Sequence, residues 1–574
     1  MDKYSEHSIV VTLQASGIIS LSHRGVDSFA LSGVFTLGFT YYLGRRNLFN
    51  MKTRLLLTIC MVGMMFTACQ KEDQQSLALG PETVDLTLQS DLPRTPSSPL
   101  SIEEINQKAL RQLQSNGIVK WDLMDDTALW SAIVQTDSLV SIGYQPEGFS
   151  GIENSIHEID VKAEKWNNVY EALVNFIVDE SNKLHPEANY RKEDLLAFGE
   201  KPLPYFNVYI SDFQTLAKLR RMKVVRYVEP MGFGSEAASQ RSSAGCGDNG
   251  PDYGLSNGID YNVISPNAKV SWNFEYSNIP AAWNESTGSG ITIGLIDTGV
   301  NQSQAKLNSQ FSNGTGRSIT KKGFHESCWW WWCSNDGVYD DCGHGTSMAG
   351  TIAAPRSSSG NSVGVAYEAN LVSCRGTDDV IINGSKEKDG VSDSYYYLAN
   401  RNDVKIISMS LGDVFWSGQV ADAVYYANNR GKLIFCAAGT SLSWTSWWGV
   451  IFPANMSQTV AVTGTKTGSP MQRCVECHSG SQVDFVVVMQ DRNNTNRGPI
   501  TLSNNGNQPN YTGGSSVATA TTAGIAALVW SENPSLNRDQ VKNLLKQNAS
   551  NYPSKDGQFG WGIIDAAAAV ADAN

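Results

Sequence analysis

Apolar segments that run into glycine or into a carboxylate mark the second half of the chain. Residues 291–297 form a near-continuous apolar run that ends in an aspartate, and residues 404–412 and 433–439 are strand-like segments that each run into a glycine. Such runs predict strands of a parallel sheet that is buried on both faces. Two glycines and two serines at 513–516 lead into small residues that continue to Trp530, which predicts a buried helix. This half is therefore predicted to be an α/β domain.

The segment between residues 101 and 235 has a different pattern. Residues 205–210 alternate as a strand, and residues 224–229 read as a second strand. Between the two strands, Asp212 is placed to cap a helix that carries apolar residues at helical spacing. A strand–helix–strand unit of this kind predicts a small α+β domain ahead of the α/β domain.

A short apolar stretch near the start of the chain indicates export. Lys52 and Arg54 are followed by an apolar run at 55–66, which is too short to span a bilayer comfortably, and then by Thr-Ala-Cys69. Residues 51–69 resemble a bacterial lipoprotein signal, which implies that Cys69 is lipidated and holds the protein at a lipid bilayer. The alternative for this stretch is a membrane-anchoring helix that is never cleaved.

The regions on either side of this signal carry less pattern. If the signal begins at residue 51, residues 1–50 are an over-extended gene start. Residues 71–73, Lys-Glu-Asp, resemble the signal that sends some lipoproteins to the outer cell surface. We therefore expect an exported protein at the bacterial outer membrane or cell surface. Residues 70–100 are polar and rich in proline and serine, which predicts a linker.

Composition limits the classes of function. The chain has 574 residues, enough for two or three domains, and a formal net charge of -12 with 17% charged residues. An acidic balance of this size does not indicate a nucleic-acid partner. The 51 glycines and 15 tryptophans are more typical of an exported enzyme than of a helical bundle.

Three residues in the α/β half carry candidate chemistry. Asp297 closes the apolar strand, where α/β folds place their sites. His344 lies between two glycines ahead of small residues, and Ser516 stands where the buried helix begins. Helix N-termini have unpaired N–H groups, which stabilise an oxyanion beside such a serine. Three such groups suffice for acyl transfer: a nucleophilic serine, a histidine that takes its proton, and a carboxylate that orients the histidine.

The order of the three residues separates classes of serine hydrolase. Asp-His-Ser is the subtilisin order, whereas chymotrypsin-like enzymes run His-Asp-Ser and α/β-hydrolases run Ser-Asp-His. A Gly-x-Ser-x-Gly elbow is also lacking, because Ala518 stands where its second glycine would be. The sequence therefore resembles the subtilisin-like (subtilase) serine endopeptidases over roughly 270–574. The resemblance implies an α/β three-layer domain with a mostly parallel sheet, and hydrolysis of peptide or protein substrates through an acyl-enzyme.

The resemblance also assigns substrate contacts. Ser410, Leu411 and Gly412 match the segment that presents its backbone edge to an extended substrate. Ala437, Ala438 and Gly439 match the wall of the pocket for the residue before the scissile bond. No cofactor is implied; structural calcium occurs in the family, but no convincing ligand set is visible here.

The α+β domain is similar to the inhibitory propeptide of the same family, because its second strand ends in a Val-x-Tyr-Val-Glu pattern. The resemblance implies that residues 101–235 assist folding and block the active site until they are cleaved. A purely structural domain is the alternative. Residues 235–250 are small and polar, which predicts an exposed segment for cleavage, and the catalytic domain is predicted at 246–574.

One position departs from the family pattern. Thr440 stands where the family has an asparagine that donates a hydrogen bond to the oxyanion. A threonine hydroxyl is shorter, but it can donate after rotation, so we expect Thr440 and the Ser516 N–H to form a weakened oxyanion hole. A pseudoprotease that binds peptides at the same cleft is the alternative.

Cysteines add further candidates. The cysteines beyond the signal are Cys246, Cys328, Cys333, Cys342, Cys374, Cys436, Cys474 and Cys477. An exported protein can oxidise them, but the sequence leaves the pairing open. Cys374 and Cys436 lie in apolar strands and are expected to be free and buried. Cys328 and Cys333 flank four tryptophans, an insert that either packs on the surface or lines an apolar subsite. Residues 474–478, Cys-Val-Glu-Cys-His, match the c-type haem pattern, but a local disulfide or metal clip is favoured.

Overall fold

The computed structural model describes residues 84–234, 246–247, 249–329, 332–440 and 449–574, without the side chains of 327–334. These residues belong to one compact unit, Thr83–Asn574. The predicted lipoprotein signal, with Cys69, lies outside the described residues. No helix within the described ranges is long and apolar enough to cross a membrane.

An antiparallel sheet forms the centre of the first part of this unit. Its strands are β1 (Leu139–Tyr144), β2 (Leu196–Ala197), β3 (Tyr205–Tyr209) and β4 (Val225–Pro230), in the order β2-β3-β1-β4. The helices around it are α1 (Ile102–Asn116), α2 (Asp126–Val134), α3 (Ile152–Ser155), α4 (Glu164–Leu184), α5 (Lys192–Leu195) and α6 (Phe213–Leu219). Asp212 caps α6, because its carboxylate accepts hydrogen bonds from the N–H groups of Gln214 and Thr215.

The described part of the predicted linker is not a free tether. Gln89 N–H donates to Arg221 O at 3.0 Å, and Leu88 forms a β-bridge with Met222. Arg221 Nε in turn donates to Asp91 O at 3.0 Å. Residues 88–91 therefore pack against the α+β domain and extend it towards the N-terminus.

A seven-stranded parallel sheet forms the centre of the second part. Its strands are β7 (Thr292–Asp297), β8 (Ile319–Gly323), β11 (Asn370–Arg375), β12 (Val404–Met409), β13 (Leu433–Ala437), β14 (Val460–Lys466) and β15 (Val483–Gln490). They lie in the order β15-β14-β13-β12-β7-β11-β8, and every neighbouring pair is parallel. Small two-stranded sheets flank it: β5 (Tyr261–Ile264) with β6 (Ala268–Ser271), β9 (Glu326–Trp329) with β10 (Trp332–Asn335), and β16 (Ile500–Leu502) with β17 (Pro509–Tyr511).

Helices cover both faces of the parallel sheet. They are α7 (Ile279–Ala282), α8 (His344–Ala353), α9 (Ser385–Asn400), α10 (Gly418–Asn429), α11 (Gly514–Glu532), α12 (Arg538–Gln547) and α13 (Ala566–Ala571). Helices α9 and α10 share one apolar cluster with one face of the sheet, and α8 and α11 share a second cluster with the other face. This is a three-layer α/β domain.

The α+β domain packs on the α9 and α10 side of the parallel sheet, and its interior is continuous with the first apolar cluster. Buried polar contacts reinforce this interface. Arg226 donates to both carboxylate oxygens of Asp422 in α10, at 2.9 and 2.5 Å. Glu229 Oε2 accepts the N–H of Gly418, the first residue of α10, at 2.5 Å. The first N–H groups of a helix have no partner within the helix, so a side-chain oxygen that accepts one of them favours docking.

Candidate active site

The carboxyl edge of the parallel sheet brings together most of the residues predicted to act. Asp297 ends β7, Gly412 follows β12 and Gly439 follows β13, and these three strands are neighbours. Parallel strands all present their carboxyl ends to the same edge, which is why segments more than a hundred residues apart converge here.

Asp297 and His344 are hydrogen-bonded to each other. The Asp297 side chain is fully buried, and His344 Nδ1 lies 2.7 Å from Asp297 Oδ1. Thr298 N–H donates to the same oxygen at 2.9 Å. Because the carboxylate accepts, the hydrogen of a neutral His344 ring lies on Nδ1, and Nε2 is left as the basic nitrogen.

Burial alone lowers the pKa of His344, but the charge of Asp297 and its hydrogen bond raise it, with a smaller contribution from Asp340. The net shift of the His344 pKa is upward. Asp297 therefore stabilises the imidazolium that would form if His344 accepted a proton.

Asp340 holds the turn that presents His344. Its carboxylate accepts the N–H groups of Cys342, Gly343 and Thr346, at 3.0, 2.7 and 2.8 Å. Gly343 has a φ of +87°, a left-handed conformation that suits glycine. Sequence reasoning missed Asp340, although an aspartate three residues before a Gly-His-Gly turn is a usable signal for such a carboxylate.

Ser516 lies in the first turn of α11, which packs against α8. Its side chain is half-buried, whereas that of Ser515 is fully buried. Ser516 Oγ donates to Ser410 O at 3.4 Å, and no hydrogen bond joins it to His344 among the described residues. Ser410 Oγ donates in turn to Ser516 O at 3.0 Å. Catalytic hydrogen bonds are often long or misaligned without substrate, and rotation about one side-chain bond redirects a serine hydroxyl.

Thr440 lies beside this serine pair. It is exposed, and its Oγ1 accepts the Ser515 N–H at 2.9 Å and lies 2.8 Å from Ser515 Oγ. Gly514 has a φ of +75°, and a Cβ there would lie 2.6 Å from Thr440 Oγ1. Glycine at 514 therefore allows this close contact. The partnership with Ser515 is not visible in the sequence, where the two residues are 75 positions apart.

The predicted substrate edge is occupied by the chain itself. Gly412 N–H donates to Val380 O at 3.3 Å, and Ile382 N–H donates to Gly412 O at 3.2 Å. The side chains at the other predicted substrate contacts are buried: Ser410, Leu411, Ala437 and Ala438. The backbone of Gly412 is therefore already paired with the 380–382 segment of the same α/β domain.

A histidine–carboxylate cluster lies beside Arg375, the residue of β11 that pairs in register with Asp297. His325 Nδ1 lies 2.8 Å from Asp336 Oδ2 and 3.5 Å from Asp378 Oδ1. One ligand atom from each lies within 4.8 Å of the others, a spacing that can hold a metal ion. However, Arg375 Nη2 lies 2.6 Å from Asp378 Oδ1, so that carboxylate already has a cationic partner. The cluster is therefore an ion-pair network.

Two disulfides lie near the candidate site. Cys246 is joined to Cys342, two residues before His344, and Cys474 is joined to Cys477. The local disulfide expected at 474–477 is therefore present, and it leaves no free thiols there for haem attachment. The sequence predicts that Cys374 and Cys436 are free and buried, and this prediction is confirmed.

Comparison with known proteins identifies the family of this chain. Residues 288–562 match the Subtilase family model (Peptidase_S8). The chain is 30% identical over 303 residues to alkaline elastase YaB from Bacillus sp. (strain YaB). The aligned region covers 52% of this chain and 70% of that protein. The chain is also 30% identical over 302 residues to subtilisin Savinase from Lederbergia lenta, which covers 52% of this chain and 98% of that protein.

One solved structure extends the similarity of fold beyond the catalytic domain. Fervidolysin from Fervidobacterium pennivorans, described as a keratinolytic enzyme related to subtilisin, superposes with a TM-score of 0.50 at 17% identity. The superposition covers 76% of this chain and 61% of fervidolysin. The chain belongs to the subtilase family, and it is a subtilisin-like serine endopeptidase.

Proposed function

We propose that this protease cleaves peptide bonds through an acyl-enzyme on Ser516, with His344 as general base and then general acid, and with Asp297 as the carboxylate that orients it. The hydrogen bond of 2.7 Å between His344 Nδ1 and Asp297 Oδ1 carries the proposal, because it leaves Nε2 as the base on the helix that packs against the Ser516 helix. No cofactor is needed for this chemistry.

In the first half of the reaction, Ser516 Oγ attacks the scissile carbonyl carbon while His344 Nε2 takes the hydroxyl proton. The resulting oxyanion is stabilised by the Ser516 N–H, at the start of α11, and by the Thr440 hydroxyl. His344 then gives its proton to the leaving amine, and the acyl-enzyme remains. In the second half a water molecule attacks the acyl carbon while His344 takes its proton, and His344 then returns that proton to Ser516 Oγ as the carboxylic acid product leaves.

Substrate would bind as an added strand along Ser410, Leu411 and Gly412, with the residue before the scissile bond against Ala437, Ala438 and Gly439. The hydrogen bonds between Gly412 and the 380–382 segment have to open for this mode, since they use the same backbone groups. A peptide strand that replaces them restores the same number of hydrogen bonds, so the exchange is not costly in itself.

The α+β domain, residues 101–235, acts in this proposal as an intramolecular inhibitor that is removed by cleavage between it and the catalytic domain, residues 246–574. Its buried contacts with α10 support the role, because Arg226–Asp422 and Glu229–Gly418 tie its last strand to the catalytic domain. Residues 51–69 would direct export, and lipidated Cys69 would anchor the enzyme at the outer membrane or cell surface.

A fluorophosphonate probe tests the proposal, because it reacts only with an activated serine. The wild type and a Ser516→Ala variant would both carry a site for an added cysteine protease within 235–245, so that the α+β domain is separated in each. We expect labelling of the wild type, none of Ser516→Ala, and retained labelling of Ser515→Ala, which keeps the nucleophile.

A catalytically inactive subtilase that binds peptides at the same cleft is the second candidate, and Thr440 in place of asparagine is the observation that favours it. An unlabelled wild type that still binds peptides would establish this second function. Labelling that persists in Ser516→Ala would instead assign the nucleophile to another residue.

A further inference from the structure

The Cys-Val-Glu-Cys-His segment, residues 474–478, lies against the strand end that carries Thr440. Cys477 and Thr440 form an antiparallel β-bridge. His478 N–H donates to Gly439 O at 2.8 Å. The residues on both sides of the Gly439–Thr440 peptide bond are therefore paired with this segment.

The imidazole of His478 contacts both ends of the 439–449 segment. His478 is buried, with 4% of its surface exposed, and its Nδ1 lies 2.7 Å from Gly449 O. Because a carbonyl oxygen only accepts, Nδ1 carries the hydrogen and donates it. At the other end the ring lies so close to Gly439 that a Cβ there would be 2.5 Å from Nδ1. Gly439 has a φ of +122°, so glycine is required by backbone conformation as well as by space.

The segment is itself held rigidly. Its disulfide closes a turn in which Cys477 N–H donates to Cys474 O at 3.3 Å, and both cysteines are buried. Cys474 N–H donates to Gly464 O in β14 at 3.1 Å, and Thr463 Oγ1 donates to His478 O at 2.6 Å. These hydrogen bonds attach the segment that carries the His478 imidazole to the parallel sheet.

We infer that His478 is a positioning residue for the oxyanion hole, which holds the backbone at Gly439, directly before Thr440, so that the Thr440 hydroxyl meets the developing oxyanion. The inference rests on the proposed oxyanion role of Thr440. Oxyanion donors act only when they are already in place within about 0.5 Å, so a clamp on the backbone of the donor acts on the rate of the chemical step. Substrate binding does not depend on this donor, because the oxyanion exists only in the transition state and the tetrahedral intermediate.

Steady-state kinetics on a peptide ester, with active sites counted by the fluorophosphonate probe, test the inference. We expect His478→Ala to lower kcat about 10- to 100-fold, which is a smaller effect than removal of a whole oxyanion donor. KM should stay within about twofold. His478→Asn restores a side-chain N–H near the position of Nδ1 and should recover most of kcat. Glu476→Gln changes an exposed residue of the same turn and serves as the matched control.

A double-variant cycle with Thr440→Val separates the inference from the function on which it rests. If His478 acts through Thr440, His478→Ala causes little further loss of kcat in the Thr440→Val background. Full additivity of the two losses, or an unchanged kcat in His478→Ala, overturns the positioning role and leaves the proposed oxyanion role intact. An unchanged kcat in Thr440→Val alone overturns the oxyanion role of Thr440, and the inference falls with it.

Discussion

The hydroxyl groups of Thr440 and Ser515 lie 2.8 Å apart, and the Ser515 N–H donates to Thr440 Oγ1 at 2.9 Å. Ser515 Oγ also accepts the Gly439 N–H, at 3.2 Å. Ser515 is fully buried whereas Thr440 is exposed. A buried hydroxyl hydrogen without an acceptor costs free energy, so we infer that Ser515 donates to Thr440. The Thr440 hydrogen is then left to point into the cleft.

This pairing predicts a catalytic effect of Ser515, which is not the nucleophile. Ser515→Ala removes the donor that orients the Thr440 hydroxyl, and we expect kcat to fall about tenfold, a fraction of the loss of a whole oxyanion donor. Ser515→Thr keeps a hydroxyl at the same place and should keep most of kcat. The measurement is kcat per active site on a peptide ester. A Ser515→Ala enzyme with full kcat would show that Thr440 needs no help from its neighbour.

The raised pKa of His344 predicts the acid limb of the pH–rate profile. A general base must be neutral, so kcat/KM rises with pH through the pKa of His344 in the free enzyme. Since Asp297 raises this pKa against the effect of burial, the midpoint of the acid limb should lie above 6.5, the usual value for histidine.

Asp297→Asn removes the charge that raises the His344 pKa. We expect the acid limb to move to lower pH, together with a fall in kcat of up to about 10⁴-fold because the ring loses the partner that selects its tautomer. The profile of kcat/KM against pH for both enzymes checks this. An acid limb at the same pH in Asp297→Asn would mean that a different group titrates.

The raised pKa of Glu229, at the interface with the α+β domain, predicts how the stability of the precursor depends on pH. Burial, and then the charge of Asp122, raise the pKa of Glu229 from 4.5 to about 8. Between these two values the folded chain holds a proton that the unfolded chain has released. Stability from this group is therefore present below pH 4.5 and is lost as the pH rises through 8.

A Ser516→Ala precursor cannot cleave itself and is suited to this test. We expect Glu229 to lower its free energy of unfolding by at least about 1.4 kcal/mol between pH 5 and pH 8, because a shift of one pKa unit corresponds to that free energy. Glu229→Gln in the same background keeps an oxygen acceptor for the Gly418 N–H and should weaken the dependence by the share of this one group, while the raised pKa values of Asp389 and Asp413 maintain the rest. Denaturant unfolding at the two pH values measures the difference. Equal pH dependence in both proteins would assign it to other groups.

Local elements could be predicted from the sequence because they depend on neighbouring residues. Asp212 caps a helix and Asp297 ends a buried strand, as the pattern indicates, and the strand predicted at 224–229 is present at 225–230. The free and buried state of Cys374 and Cys436 also followed from their apolar surroundings. The parallel sheet was predictable as well, because runs that are apolar at every position fit only strands covered on both faces.

Pairings between distant segments could not be predicted in this way. Cys246 pairs with Cys342 across 96 residues, and the sequence left that connectivity open. The backbone pairing of Gly412 with residues 380–382 was also unexpected, because the sequence indicated an edge free for substrate. Such contacts depend on which loops the strand order brings to the same edge of the sheet.

The sequence by itself therefore determined the fold class, the subtilase resemblance and the candidate residues Asp297, His344 and Ser516, since each lies in a motif of consecutive residues. Only the tertiary structure decided what surrounds them: that Ser515 and His478 contact the Gly439–Thr440 strand end, and that the α+β domain docks on α10. The physical reason is that periodicity and capping act within about one turn of helix or one strand. The partners of a buried polar group depend instead on the packing of whole layers.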